Sequence, residues 1–345
     1  MSACSNRARL LERRSGRWPM RMQLPCGGRV AAGLLVLALL LCSSGSADLR
    51  AEEEEEKPRV RAWQETGSAE ERVDIVFVGD GYQRRHLTRT GKYWRDVNRY
   101  ARELFEEPPF RTYKKLFNVY GVYLESKNVA LEGETALGCY FAQPRLLQVR
   151  HRKKLLEAVS AAPPADIVFV MVNTEKHGGA GSTLREIQRR GRPLPSPVFS
   201  ACDTISFQVA LHELGHSFAG LGDEYVDEPT ATRYPLPGKG KDLPHPNVTL
   251  AAHIDVTSRE AIRATAKWGR YLDLKGAKRW RWAYEGAYFR TSGVFRPFPR
   301  CRMRAGADAF CPVCCEQIAK NIHLAAGVPW DPEAHLKKHP LRGWR

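Results

Sequence analysis

An α/β layered fold is predicted by three features of the sequence. Apolar runs at 73–78, 117–124 and 166–172 have the length and bulk of buried strands. Helically spaced stretches lie between and before them, near 88–106 and 144–160. The chain has 345 residues, 43% hydrophobic and 27% charged, which is globular composition and long enough to bury a large core. Strands that alternate with helices cover their apolar faces by stacking in layers.

The elements follow in order. Residues 30–42, VAAGLLVLALLLC, come after an arginine-rich stretch. The run is short for a membrane span and has the form of an export-signal core. The small residues Gly45 and Ala47 set the expected cut after Ala47, so residues 1–47 read as a signal peptide. Membrane attachment is expected only if that segment stays on the chain. The acidic run 51–57 marks 48–72 as a flexible leader. Val73 to Val78 is a strand that ends in the turn Gly79-Asp80-Gly81, where Asp80 is read as a turn former. Tyr93, Val97, Tyr100, Ala101, Leu104 and Phe105 define the first helix, and Pro108 and Pro109 end it. The GGAG stretch at 178–181 is no phosphate loop, because no Gly-Lys-Ser/Thr follows. Residues 189–197 are basic and proline-rich and read as a loop. Beyond about 229 the composition shifts towards Pro, Gly and aromatics. The expected organisation is a domain over 73–325, with a larger subdomain at 73–222, a smaller C-terminal one at 223–325 and a basic tail at 326–345.

The formal charge of +16 falls to +10 once the seven arginines and one glutamate of residues 1–47 are set aside. The remaining cations are dispersed and are not interleaved with aromatics, so neither a nucleic-acid nor a nucleotide partner is expected. Six cysteines remain: Cys139, Cys202, Cys301, Cys311, Cys314 and Cys315. An even number in an exported chain reads as candidate disulfides. The alternatives are free thiols, or a structural zinc half-site at Cys311-x-x-Cys314.

The chemistry is concentrated at 212–225. Ile205, Val209, Leu211, Leu214 and Phe218 mark an amphipathic helix through His212-Glu213-Leu214-Gly215-His216. Positions i and i+4 lie one above the other on a helix, so His212 and His216 can present two imidazoles to one metal. Glu213 is displaced around the helix, placed to reach a water without ligating. This is the HExxH arrangement of metalloproteases, with one catalytic Zn2+ and Glu213 as general base. Gly220 and Gly222 break the helix soon afterwards, as a chain must to bring back a third ligand. Metzincin-type sequences place a histidine six residues after the second one, and here that slot is Gly222. Asp223 is the expected third ligand, with Glu224 as the alternative. Tyr225 is a candidate for stabilising the oxyanion. Asn247-Val-Thr249 forms a glycosylation sequon.

The stretch HELGHSFAGLGDEY closely resembles the signature of the IgA-peptidase-type family of zinc metalloendopeptidases. Further blocks match in order: Phe77 to Tyr82, Pro109-Phe110, Phe117 to Tyr120, Gly286 to Tyr288, Arg296-Pro297, Cys301 to Met303 and Phe310 to Cys314. The resemblance spans about 73–318. It implies a metzincin-like mixed sheet with an active-site helix, and a zinc endopeptidase acting on peptides or proteins, which the export signal at 1–47 would make secreted or periplasmic. It also implies that Met303 sits in a turn beneath the metal. The competing expectation is a catalytically silent exported binding protein on the same scaffold.

Overall fold

The computed structural model describes residues 59–202, 205–341 and 344. The expected signal at 1–47 and the acidic run at 51–57 lie outside these residues. The strands of the main region are β1 (Arg59–Gln64), β2 (Val73–Asp80), β3 (Phe117–Tyr123), β4 (Tyr140–Gln143), β5 (Leu146–Gln148), β6 (Ile167–Val172), β7 (Gly179–Ala180), β8 (Thr183–Arg189), β9 (Arg192–Pro195) and β10 (Val198–Ser200). Eight of them form one sheet in the order β1-β3-β2-β6-β10-β7-β5-β4. The strands β3, β2, β6 and β10 run parallel, whereas β1 and β7 pair antiparallel with β3 and β10. The fold is thus the mixed-sheet α+β arrangement that the apolar runs predict.

The pleat explains the layering, because successive side chains point to opposite faces. Ile75, Phe77, Phe169, Met171 and Phe199 belong to the hydrophobic cluster on one face. There they meet α1 (Lys92–Leu104), and also α3 (Ser206–Ala219) and α6 (Pro312–Ala325). Val76, Val78, Val168 and Val170 belong to the other cluster, with Leu155 and Val159 of α2 (Arg152–Ser160). Both faces are covered, which is why β2 and β6 are apolar almost throughout and wholly buried. Each buried Val, Leu or Phe contributes about 1.5–3 kcal/mol of transfer free energy.

Several expectations are corrected. The segment read as a flexible leader to residue 72 includes β1, because its backbone can complete the edge of β3. The helix expected over 144–160 starts only at Arg152, since 146–148 pairs with β4. The 189–197 loop is half of the β8–β9 hairpin. Among the described residues the tail carries α7 (Pro332–Lys338), capped by Asp331, whose carboxylate accepts from the Glu333 and Ala334 N–H groups. Its His335 is buried and shares a 2.9 Å hydrogen bond with Tyr113.

The C-terminal part also holds α4 (Glu228–Ala231), α5 (Arg259–Thr265) and a small sheet of β11 (Thr249–Leu250), β12 (Tyr284–Ala287) and β13 (Arg290–Arg296). Met303 and Ile318 join the same hydrophobic cluster as Phe77 and Phe169, so one core crosses the expected subdomain boundary at 222/223. Asp80 is fully buried, and its carboxylate accepts from Thr135 Oγ1 and from the N–H groups of Leu137 and Cys139. It organises the 135–139 loop.

Candidate metal centre

Helix α3 carries His212, Glu213 and His216 and buries Phe207, Ala210, Leu211, Leu214 and Phe218 against the sheet and α6. Gly220 caps it in the left-handed region at φ 66°, where a side chain would be strained. The reversal brings Leu221 O back to His216 Nδ1 at 2.7 Å. Two residues on, it delivers Asp223, whose Oδ1 lies 3.0 Å from His212 Nε2 and 3.2 Å from His216 Nε2. The two Nε2 atoms are 3.1 Å apart.

The hydrogen bonds decide what this triangle can hold. His212 Nδ1 faces Arg302 O at 3.0 Å, and His216 Nδ1 faces Leu221 O. A carbonyl can only accept, so each Nδ1 must carry a proton. Both neutral rings then turn a lone pair inward, towards a carboxylate oxygen. Three acceptors within about 3 Å of one another repel unless a cation sits between them. At zinc–ligand distances of about 2.0–2.1 Å, the donors of a tetrahedral site stand roughly 3.3 Å apart. The set therefore fits a tetrahedral divalent cation and leaves one corner open.

Without a metal, a proton takes that role. Burial opposes charge on His216, but the hydrogen bond and charge of Asp223 override it and raise the imidazole to about 9. Burial likewise opposes Asp223, yet the two histidines pull its carboxyl down to about 2. Metal and proton compete for the same place, so metal uptake by His216 strengthens as pH rises towards 9.

The ligand geometry is held from outside. Met303 packs directly under Gly215, where an added Cβ would stand 2.7 Å from its sulfur. The Met303 carbonyl accepts from Glu224 N at 2.7 Å. Next to it, the buried Arg302 reaches Glu107 at 2.6 Å and also Gln208 of α3. Its own carbonyl is thereby fixed at His212. Asn247 is fully buried, and its side chain bonds both Gly222 N and Gly222 O at 2.8 Å. The glycosylation reading of Asn247 is thus corrected, because no glycan can reach an enclosed amide that clamps the turn before Asp223.

Asp223 is brought to the imidazoles, whereas Glu224 points away into a fully buried pocket. Tyr225 stacks edge-on against Phe289, with its ring 6.3 Å from that of His212. Burial pushes its phenol above the ordinary range, so it stays a donor. None of the six cysteines forms a disulfide. Cys139 lies beside Asp80 and Cys202 beside Asn173, remote in the chain from the other four. Sequence reasoning missed His245, Tyr234 and Phe289, which together with Tyr288 of the 286–288 block line the cleft of about 390 Å³ over the triad. They come from the irregular region after 229, which has no periodicity to single them out. Burial holds His245 below the ordinary histidine range, and its Nδ1 bonds Gly220 O at 2.8 Å.

The profile of the family described as IgA Peptidase M64 matches residues 62–277, well over half of the chain. The chain belongs to that family. No curated protein matches it. This M64 member is accordingly a metallopeptidase-type enzyme, acting on peptides or proteins. Its matched region includes the triad and Glu213 but ends before the Met303 turn that supports them.

Glu213 lines the same cleft. Its carboxylate lies so close to Gly181, just after β7, that any Cβ there would collide with it. In this M64 peptidase the GGAG stretch therefore leaves room for that carboxylate. Gly181→Ala is expected to fold normally, since only a flexible side-chain end must move. Displacing Glu213 by about 1 Å should cut kcat by about 100-fold with metal content unchanged. Steady-state cleavage together with metal analysis checks this, and an unchanged kcat would disprove the packing argument.

Proposed function

We propose that the protein is an exported zinc-dependent endopeptidase, with His212, His216 and Asp223 holding the ion and Glu213 acting as general base. The reading is carried by the three inward-facing acceptors with both Nδ1 protons committed to carbonyls. When bound, zinc supplies Lewis acidity that activates a water and polarises a peptide carbonyl. Glu213 takes the proton of the attacking water and returns it to the leaving amine. Tyr225, kept protonated, donates towards the oxygen that gains charge. Tyr234, Tyr288 and Phe289 line the cleft over the triad and offer aromatic surface to substrate side chains. Export rests on the apolar run at 30–42 and the small residues before 48.

Chelation tests the proposal. Removing metal from residues 48–345 should stop cleavage of an unstructured protein such as casein, and added Zn2+ should restore it. Cleavage that continues at full rate after the metal is gone would sink the zinc reading. Bound zinc with no cleavage of a broad peptide library would favour the silent binding scaffold.

A further inference from the structure

A second set of donors lies behind the triad. Glu224, Cys301, Cys311 and Cys314 each offer a ligand atom, and these atoms all fall within 4.8 Å of one another. All four residues are completely buried. Cys311 stands at the residue just before α6 and Cys314 lies in its first turn, so two thiols meet at one point. Cys301 comes from the turn that carries Arg302 and Met303, and Glu224 from the loop that carries Asp223. Donors from three separate segments thus converge.

Counting partners separates the possible occupants. The Cys301 and Cys314 sulfurs are 3.6 Å apart. That is near the roughly 3.8 Å edge of a tetrahedron with Zn–S of about 2.3 Å, and far from the about 2.05 Å of a disulfide. A disulfide between any two of the three would leave one thiol and the glutamate unused. Glu224 accepts from Asn247 Nδ2 at 2.9 Å through Oε1, but its Oε2 is enclosed and has no partner. A buried carboxylate oxygen without a partner is costly. A cation would employ all four donors at once. The Cys311 N–H already points at the Cys301 sulfur at 3.4 Å, as outer-shell donors do around thiolate ligands. The buried Arg296 lies within electrostatic reach of Glu224 and Cys301, and its positive charge offsets part of the negative charge that three thiolates and a carboxylate carry in excess of a divalent cation.

We infer that Glu224, Cys301, Cys311 and Cys314 form a closed structural site for a thiophilic divalent cation, zinc in particular, separate from the His212–His216–Asp223 site. Binding releases the three thiol protons together with the proton that burial keeps on the Glu224 carboxyl, and it leaves no open corner, so the site binds no substrate. Its role follows from chain position. Asp223 precedes Glu224, and Arg302, whose carbonyl orients His212, follows Cys301. The ion staples both loops to α6 and holds the triad in register.

Cobalt and zinc measured on the intact chain test this. Wild-type protein is expected to hold two zinc ions, one of them released by titration with an organomercurial. After exchange into Co2+ it should show sulfur-to-cobalt charge-transfer absorption. His212→Ala/His216→Ala should keep one ion and that absorption, whereas Cys311→Ser/Cys314→Ser should lose both the absorption and one ion. The wild-type arms stand even if the cysteine variant does not fold. A wild-type mass lighter by two hydrogens with no charge-transfer band would overturn the inference in favour of a disulfide. A single zinc, with three thiols that react freely in the unfolded chain and no band, would also overturn it. Loss of the band in Cys311→Ser/Cys314→Ser with cleavage unchanged would overturn the stapling role of the ion, whereas cleavage by His212→Ala/His216→Ala would sink the peptidase site and leave the cysteine site standing.

Discussion

Glu213→Gln is expected to lower turnover of peptide substrates by about 100- to 10,000-fold while metal content stays at the wild-type level. The amide keeps the size and position of the carboxylate beside Gly181 but cannot take a proton. No ligand of the triad changes, since the donors that converge there are His212, His216 and Asp223 and not Glu213. The loss corresponds to roughly 3–5 kcal/mol of transition-state stabilisation. Steady-state kinetics with a quenched peptide, paired with metal analysis, measure both quantities. Turnover within a few-fold of wild type would remove Glu213 from the mechanism and with it the general-base assignment.

Asp223→Ala is expected to strip the histidine site of metal. The two imidazoles that remain make an incomplete set, and affinity should fall beyond the about 10- to 100-fold that follows loss of an outer-shell partner. Competition against a chelator of known affinity reads this directly. Asp223→Asn separates shape from charge, because it keeps the oxygen but not the negative charge that draws the cation. The metal-free protein offers an independent check. Asp223 has its carboxyl depressed to about 2 from 3.8, so its contribution to stability is present above 3.8 and lost as pH falls towards 2. His216 is raised from 6.5 to about 9, so its contribution is present below 6.5 and lost as pH rises through 9. The pair therefore supports the metal-free fold most between about 4 and 6.5. Asp223→Ala should flatten that part of the stability profile, and a profile identical to wild type would show that the pair does not form in solution.

The active-site helix was legible because its signal is local. His212 and His216 share a face through helical periodicity alone, and Gly220 ends the helix through its own backbone freedom. The buried strands β2, β3 and β6 were legible for a similar reason, since a strand covered on both faces must be apolar along its length. Short paired segments such as β5, β8 and β9 were not, because their order depends on partners elsewhere in the chain. Asn247 shows the limit most clearly. Its tripeptide reads as a surface sequon, yet it is enclosed behind the Asp223 loop, 25 residues from the Gly222 backbone it clamps.

The choice between Asp223 and Glu224 shows what belongs to each level. Adjacent acidic residues after a glycine turn are equivalent in the sequence, and both can reach a metal by length alone. The tertiary structure separates them, because Asn247 and the Met303 carbonyl hold the backbone so that consecutive side chains face opposite ways. One carboxylate then meets two imidazoles and the other meets three thiols. By itself the sequence determined the layered fold and the HExxH helix, which rest on short-range periodicity and composition, and the family resemblance, which rests on motif blocks matched in order along the chain. Only the tertiary structure decided which acid meets the histidines, which carbonyls set their tautomers and where the cysteines gather. The His212–Arg302 and Glu224–Cys314 contacts each join residues 90 apart in the chain, and Asn247 reaches Gly222 across 25, separations that no local pattern encodes.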